Sequence, residues 1–199
     1  DFSDLPDSTT GLDAVDGIVI ASGASSGDVA DDSVNSSIPY ACDEARSEVL
    51  RNWVARGGHL FVSVGRDREA WTRSALAKWV PVKLTGTRQL SDSDLRGLET
   101  YANRSIRIPF VGRVPGSMLE TPDGRTFGTA LSGPLLAETV YGLGRVTVLA
   151  VDLDRPPLSR WKALPALVDR ILITELSGPN EGVGGSGALI HSGISDLKT

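Results

Sequence analysis

Short apolar runs bounded by glycine and polar residues alternate along this chain with stretches of helical periodicity. Residues 17–21 form the first such run and Leu60 to Val64 form the second. Runs of this length are typical of buried strands. A later run from Arg145 to Val151 is rich in β-branched residues, which favours a central strand.

Between these runs, apolar residues recur at helical spacing. From Pro39 onward one stripe is shared by Cys42, Ala45, Val49, Leu50, Trp53 and Val54, and Gly57-Gly58 then ends the predicted helix. Asp67 is expected to cap a second helix that carries Trp71 and Trp79 and stops at Pro81. The last helix places Leu164, Leu167, Val168, Ile171, Leu172 and Leu176 on one stripe.

The middle of the chain, residues 81–137, has a different pattern. Its apolar segments are short and partly alternating, which indicates an antiparallel insertion with a short helix near 92–99. The "PDGR" stretch at 122–125 predicts a tight hairpin because Asp-Gly favours such turns. Residues 22–37 are small, polar and acidic, which predicts a long surface loop.

The order strand, helix, strand, helix predicts an α/β fold: a flavodoxin-like, doubly wound, mainly parallel sheet with helices on both faces and an antiparallel insertion. We expect one domain over residues 1–178, with 81–137 as its β-rich insertion. Residues 179–199 are glycine-rich and are expected to be a linker-like tail.

Composition limits the possible functions. The net charge is −5 and the pI is about 5.0, so a basic nucleic-acid-binding protein is excluded. The single cysteine excludes an intrachain disulfide or a CxxC metal site, and we expect no metal and no cofactor.

No apolar stretch is long enough to cross a bilayer, so this segment itself is expected to make no membrane contact. The start at Asp1 and the glycine-rich end fit a segment cut from a longer protein. The expectation is an extracytoplasmic part of a membrane-anchored protein.

Ligands of open parallel sheets bind beyond the carboxyl ends of the strands. The residues predicted at those ends, and therefore the candidate ligand-binding residues, are Ser22, Gly23, Gly65, Arg66, Asp67, Asp152 and Asp154. Arg66 could donate to a polar or charged ligand, and the carboxylates could accept hydrogen bonds or hold a metal. The alternative is structural: Asp67 caps a helix, and Asp154 pairs with Arg155 or Arg160.

Two sequence motifs carry a resemblance to a known family. The stretch "LRNWVARGGHLFVSVG", followed downstream by "YGLGRVTVLAVDLD", resembles the class I glutamine amidotransferase-like superfamily. The nearest likeness is to its noncatalytic branches and to trehalose-utilisation-type proteins. It covers residues 12–80 and 140–176, and these motifs indicate fold more than activity.

The resemblance implies that a catalytic cysteine would stand at the turn after one buried strand and its histidine base near the end of a later strand. The first position here holds Gly65, which has no side chain. The later strand ends in Asp152, Leu153 and Asp154, without a histidine. We therefore expect no catalytic residue of the family type.

Other nucleophiles and bases are unfavourable. Cys42 lies on an apolar stripe, where a thiol is usually inert packing. His59 is predicted at the end of the sheet opposite the crevice, and His191 falls in the tail. Ser63 lacks a Gly-x-Ser-x-Gly elbow, so it is interpreted as a small side chain in a packed strand.

Three further features have mainly structural interpretations. Asp28, Asp31 and Asp32 lack EF-hand spacing and are interpreted as a solvated loop, with cation binding as the alternative. Tyr141-Gly142-Leu143-Gly144 precedes a strand, so it is interpreted as a turn and not as a dinucleotide motif. Trp53, Trp71, Trp79 and Trp161 are predicted on helices and in the core, with a sugar platform as the alternative.

Three functions remain open at this point. The preferred one is a noncatalytic amidotransferase-like module of a larger protein that binds an unknown protein partner or a small polar ligand. The second is a hydrolase or sugar-processing enzyme that uses the strand-end carboxylates Asp152 and Asp154. The third is a structural scaffold with a shallow, empty crevice.

Overall fold

The computed structural model describes residues 5–6, 8–22, 40, 42–102, 105–109, 112–128, 130 and 132–173. Seven strands and four α-helices lie in these residues: β1 Gly17–Ile20, α1 Glu44–Ala55, β2 His59–Ser63, α2 Arg68–Arg73, β3 Lys83–Leu90, α3 Asp92–Tyr101, β4 Val114–Glu120, β5 Arg125–Phe127, β6 Leu136–Tyr141, β7 Gly144–Leu149 and α4 Leu164–Ile173. The three 3₁₀ turns of the described chain are Thr9–Leu12, Leu76–Lys78 and Leu158–Arg160.

The main sheet has five strands in the order β1-β2-β7-β6-β5. β1, β2 and β7 pair in parallel, whereas β6 is antiparallel to both β7 and β5. Four of the five strands therefore run in one direction. β3 and β4 form a separate antiparallel pair. This confirms a mixed α/β fold with a mostly parallel sheet.

Both faces of the main sheet are covered by helices. On one face, Phe61 and Leu149 pack in one apolar cluster with α3 and α4. On the other, Leu60 and Val62 pack in a second cluster with α1 and α2. Neighbouring residues of β2 thus enter opposite cores, and every residue of this strand is buried.

Two glycine-containing turns, Gly57-Gly58 before β2 and Gly142-Leu143-Gly144 before β7, pack against each other at the amino ends of these strands. Leu143 N donates to Ala55 O at 3.0 Å, and Arg145 N donates to Gly58 O at 3.2 Å. A Cβ on Gly144 would overlap Val54 O and Gly58 O, so this approach requires glycine. The interpretation of residues 141–144 as a turn is confirmed, and it joins β6 to β7.

Two predicted helices differ in the structure. α1 begins at Glu44 because the Asp43 side chain accepts from Arg46 N, so Cys42 precedes the helix and does not lie on its stripe. The helix predicted from Asp67 to Trp79 is broken at Ser74, whose hydroxyl donates to Trp71 O at 2.7 Å. Only α2 and a short 3₁₀ turn form there, because that serine satisfies the helix backbone locally.

The hairpin predicted at 122–125 was wrong. A turn does form between β4 and β5, but β4 pairs with β3 and β5 pairs with β6. Gly124 lies close to Glu138 O, so the turn is held against β6 and directs β5 into the main sheet. The short helix predicted near 92–99 is confirmed as α3, with a capping box formed by Ser91 and Asp94.

Candidate functional site

The carboxyl ends of the parallel strands bring together most of the predicted site residues. Ser22 follows β1, Gly65 and Arg66 follow β2, and Asp152 and Asp154 follow β7. Asp67 lies at the start of α2. Gly23 lies outside the described residues. This convergence follows from the parallel pairing of β1, β2 and β7.

The turn after β2 holds a carboxylate. Gly65 N donates to Asp152 Oδ1 at 2.8 Å, and Arg66 N donates to Asp152 Oδ2 at 3.2 Å. Both backbone amides that could stabilise an oxyanion at this turn therefore already bind an internal anion.

Gly65 is present here because a side chain would not fit. A Cβ at this position would stand 2.5 Å from Asp152 Cγ and 2.6 Å from Asp152 N. One of these atoms is backbone, so rotation of the Asp152 side chain alone cannot relieve the overlap. Gly65 is also not among the glycines with positive φ in the described chain, so the turn lacks the strained backbone of a nucleophile elbow.

Asp152 is 4% exposed, and its surroundings act on its pKa in opposite directions. Burial raises the pKa, and the hydrogen bonds from the amides of Arg66 and Gly65 together with the charge of Arg155 lower it in part. The net direction is upward. The Arg66 guanidinium, whose side chain is 47% exposed, lies 3.4 Å from Asp152 Oδ2 and adds an ion pair at the protein surface.

The other two carboxylates also have partners within the chain. Asp67 Oδ2 lies 3.0 Å from Arg155 Nη2 in a half-buried ion pair. The Asp67 side chain makes no capping hydrogen bond to α2, so its predicted role as a cap was wrong in this respect. Asp154 Oδ2 accepts a hydrogen bond from Ser22 Oγ at 2.8 Å.

The antiparallel insertion closes the carboxyl ends of β2 and β7. In β4, Ser117 N donates to Ala150 O at 2.8 Å and Ser117 Oγ donates to Gly65 O at 2.9 Å. Below them, Ser63 Oγ donates to Val151 O at 2.8 Å and accepts from Leu153 N at 2.7 Å. Ser63 and Ser117 are fully buried, so each joins chain segments and neither faces a substrate.

Tyr40 is a neighbour of the site that sequence reasoning missed. Its hydroxyl donates to Ser63 O at 2.6 Å, and its ring meets Trp71 edge to face at 5.5 Å. Burial, followed by the charges of Asp152, Asp67 and Asp154, raises the pKa of this phenol. Tyr40 has φ of 59°, an uncommon conformation for a residue other than glycine, and no sequence pattern indicated it.

The alternative nucleophiles and bases lie in unreactive surroundings. Cys42 is buried, and burial raises the pKa of its thiol to about 11. His59 is buried at the amino end of β2, opposite the candidate site, as predicted. Burial and the neighbouring Arg145 charge lower the pKa of its imidazole to about 4. His191, Asp28, Asp31 and Asp32 lie outside the described residues.

The tryptophans belong mainly to the core. Trp53, Trp71 and Trp161 are each at most 5% exposed, and Trp79 is partly buried against Tyr141. The prediction of core packing is confirmed for the first three. Trp79 and Trp161 follow 3₁₀ turns and are not on helices, because those turns end just before them.

The described residues form no metal site at this end of the sheet. Among them, no group of three or more His, Cys, Asp or Glu side chains is arranged to hold a metal ion. A surface cleft of about 270 Å³ lies at the other end of the strands, where Asp13, Asp16, Trp53 and Arg56 contribute to its lining. None of the predicted site residues lines that cleft.

Comparison with models of protein families and with curated proteins gives no match. Solved structures do resemble the chain. The cytoplasmic protein STM1381 from Salmonella typhimurium LT2 has a TM-score of 0.54 at 17% identity, covering 85% of this chain and 75% of that one. The cytoplasmic protein STM3548 from Salmonella typhimurium has a TM-score of 0.52 at 17% identity, covering 86% and 76%.

A third structure matches less closely. The exo-β-1,4-mannosidase Op5Man5 from Opitutaceae bacterium strain TAV5 has a TM-score of 0.47 at 15% identity, and the match covers 81% of this chain but only 26% of that one. At this level the likeness to the mannosidase carries no argument. The first two likenesses show the fold alone: this chain shares a mixed α/β architecture with both Salmonella proteins.

None of the described helices combines the length and the apolar character needed to cross a bilayer.

Proposed function

We propose that this chain is a noncatalytic, amidotransferase-like module with a flavodoxin-like, doubly wound sheet, and that it works by contact with another protein. The observation that carries the proposal is the bond pattern at Gly65. The turn that would carry a nucleophile has no room for a side chain, and its two amides bind Asp152.

Protein contact is favoured over small-ligand binding at the carboxyl ends because each of the three carboxylates there already has a partner. Asp152, Asp67 and Asp154 each have a partner within the chain, and β4 covers Gly65. A small polar ligand would have to displace these bonds, and each displaced bond would cost free energy. Membrane anchoring of a longer protein fits the same proposal, with this module as its extracytoplasmic contact domain.

A hydrolase that uses Asp152 and Asp154 is the second candidate. The raised pKa of Asp152 favours it, because general acids in enzymes are often carboxyls whose pKa is raised by burial. Against it, Asp152 is almost fully buried and both of its oxygens accept backbone hydrogen bonds. An acid with this geometry has no path to a substrate oxygen without local opening.

An ammonia-release assay with L-glutamine and a glycosidase assay with nitrophenyl sugars test the proposal on the 199-residue chain. We expect rates equal to those of buffer for the wild type and for Asp152→Asn alike. Saturable turnover that is lost in Asp152→Asn but kept in a surface control, Asp92→Asn, would contradict the proposal and support the hydrolase. The control residue is the first residue of α3, where its side chain is 46% exposed and pairs with Arg96.

A further inference from the structure

The outer edge of β1 is unpaired within the described chain. β1 is the terminal strand of the main sheet, and β2 is its neighbour there. His59 N donates to Asp16 O at 3.0 Å, which fixes the alternation of the parallel ladder. The N–H and C=O groups of Ile18 and Ile20 therefore point toward β2. The N–H and C=O groups of Gly17 and Val19 point to the open edge.

Other strand edges of the described chain carry features that oppose pairing. β5 has only three residues and begins with Arg125. β3 contains Lys83 and Arg88, and its register shifts between Leu84 and Gly86. Short length, charge and bulges are the usual protections of sheet edges. β1, with the sequence Gly-Ile-Val-Ile, is also short at four residues, but it carries no charged side chain and its register with β2 has no bulge.

The surface beside this edge is apolar. Val19 is 39% exposed although it pairs with the fully buried Phe61. On the same face, the Leu172 side chain lies beside Gly17, and the next residue, Ile173, is 72% exposed. A strand added at this edge would gain backbone hydrogen bonds and would also cover these side chains.

The charges near the edge of β1 favour an added strand with basic flanking residues. Asp13 and Asp16 are exposed just before β1, and the whole chain carries a net charge of −5. A second copy of this chain would bring the same net charge to the edge, which opposes self-pairing. Basic residues that flank the added strand would be attracted instead.

We propose that the outer edge of β1 is a docking site for an extended strand of another protein, apolar and β-branched in its centre and flanked by Lys or Arg. The inference rests on the proposed function, because it assigns the protein contact to one surface. It concerns the side of the sheet and not the closed corner at Gly65.

The test uses two synthetic peptides and the 199-residue chain. Both peptides contain five alternating Val and Thr residues, flanked at each end by two lysines in one peptide and by two glutamates in the other. Amide hydrogen exchange followed by NMR reports protection at single residues. We expect the lysine peptide to slow exchange at Gly17 and Val19, and to bind about tenfold more tightly than the glutamate peptide.

Variants at Val19 separate backbone pairing from side-chain contact. Val19→Pro removes the outward N–H and leaves the bonds to β2 intact, since proline is tolerated at strand edges. Val19→Thr keeps that N–H and a β-branched shape. Binding of the lysine peptide should fall at least about tenfold in Val19→Pro and change little in Val19→Thr. Circular dichroism of both variants verifies folding. If the proline variant unfolds, Val19→Lys tests the edge by charge instead: its cation should repel the lysine peptide and weaken binding at least about tenfold.

The proposal is overturned if Val19 is already protected in the free protein, which would show that another part of this chain covers the edge. It is also overturned if both peptides leave exchange at Gly17 and Val19 unchanged, or if only the glutamate peptide protects them. These outcomes leave the inactivity of the Gly65 corner standing, because the turnover assays measure that separately.

Discussion

The two ends of the β2–β7 pair hold buried titratable groups in opposite ways. At the carboxyl end, two backbone amides and the Arg66 side chain surround the Asp152 carboxylate, so the anion has donors on several sides. At the amino end, Arg145 Nε donates to His59 Nδ1 at 2.9 Å, and His59 Nε2 lies 2.8 Å from Thr147 Oγ1. The imidazole is therefore held neutral beside a cation.

This difference shows how a polar group at a strand end can be structural. A catalytic acid or base needs at least one face open to a substrate. Asp152 and His59 are both buried. Both carboxylate oxygens of Asp152 and both ring nitrogens of His59 already have partners in the chain. Asp152, at the end of the sheet that resembles an active site, is thus bonded within the chain as fully as His59 at the other end.

The largest loss of stability is expected when a nucleophile is placed at Gly65, in the turn after β2 that we call the corner. Gly65→Cys places a Cβ against Asp152 Cγ and Asp152 N. Because a backbone atom must move, we expect a loss of at least roughly 4 kcal/mol in the free energy of unfolding. Urea denaturation measures it. Gly57→Ala is the matched control, since Gly57 has φ of 124° but no atom within 4 Å of an added Cβ, and it should cost about 1 kcal/mol. Equal losses in the two variants would show that the corner is not close-packed.

Removing the anion at the same corner should have the next largest effect. Asp152→Ala leaves the amides of Gly65 and Arg66 without their acceptor, and we expect a cost of roughly 3 kcal/mol. Asp152→Asn keeps one acceptor and should cost less. Asp154→Ala removes the acceptor of the Ser22 hydroxyl and should cost about 1 kcal/mol. If all three variants lose the same stability in urea, the carboxylate of Asp152 has no special role.

Acid should lower the stability of the fold through His59, at the amino end of β2. The pKa of His59 is lowered from 6.5 to about 4 in the folded chain, so the unfolded chain binds the extra proton between these values. Stability is therefore lost as pH falls from 6.5 toward 4, by about 2 kcal/mol between pH 7.5 and pH 5. The raised pKa of Asp152 acts in the opposite direction, because it makes the folded chain bind more protons than the unfolded chain.

The difference between the wild type and His59→Gln isolates the imidazole from that opposing effect. Urea midpoints over this pH range should fall with acid for the wild type relative to the variant. Parallel curves for the two proteins would mean that His59 is not held neutral.

The smallest effect is expected where the insertion meets the corner. Ser117→Ala removes the hydroxyl that donates to Gly65 O and should cost about 1 kcal/mol, because a buried carbonyl loses its partner. Ser93→Ala on α3 is a control for a serine whose contact, with Ser91, is exposed. A stability change for Ser117→Ala no larger than for Ser93→Ala would argue that β4 does not close the site.

Much of the fold could be predicted from local patterns. The apolar runs at 17–21 and Leu60 to Val64 became β1 and β2, and their parallel pairing brought Ser22 and Gly65 to one end of the sheet. The Gly-Gly and Gly-Leu-Gly turns were located correctly as well. Their mutual packing, which explains why glycine stands at Gly142 and Gly144, depends on tertiary contact and has no local signal.

The closed state of the site was beyond sequence reasoning. From the sequence, the turn at Gly65 is interpreted as a nucleophile turn that lacks a reactive side chain. The structure shows in addition that no side chain would fit at this position. That distinction depends on Asp152, 87 residues away in the chain. Ser117 and Tyr40 contribute from an insertion and from an uncommon backbone conformation, and neither follows a periodic pattern.

An acetate titration followed by amide NMR tests the central claim most directly. In the wild type, the amide signals of Gly65 and Arg66 should not respond to acetate, because Asp152 already occupies both N–H groups. In Asp152→Ala, the same two signals should shift saturably as acetate enters the vacated position. A saturable shift of the Gly65 amide in the wild type would contradict the account, since it would show an anion site open to ligands.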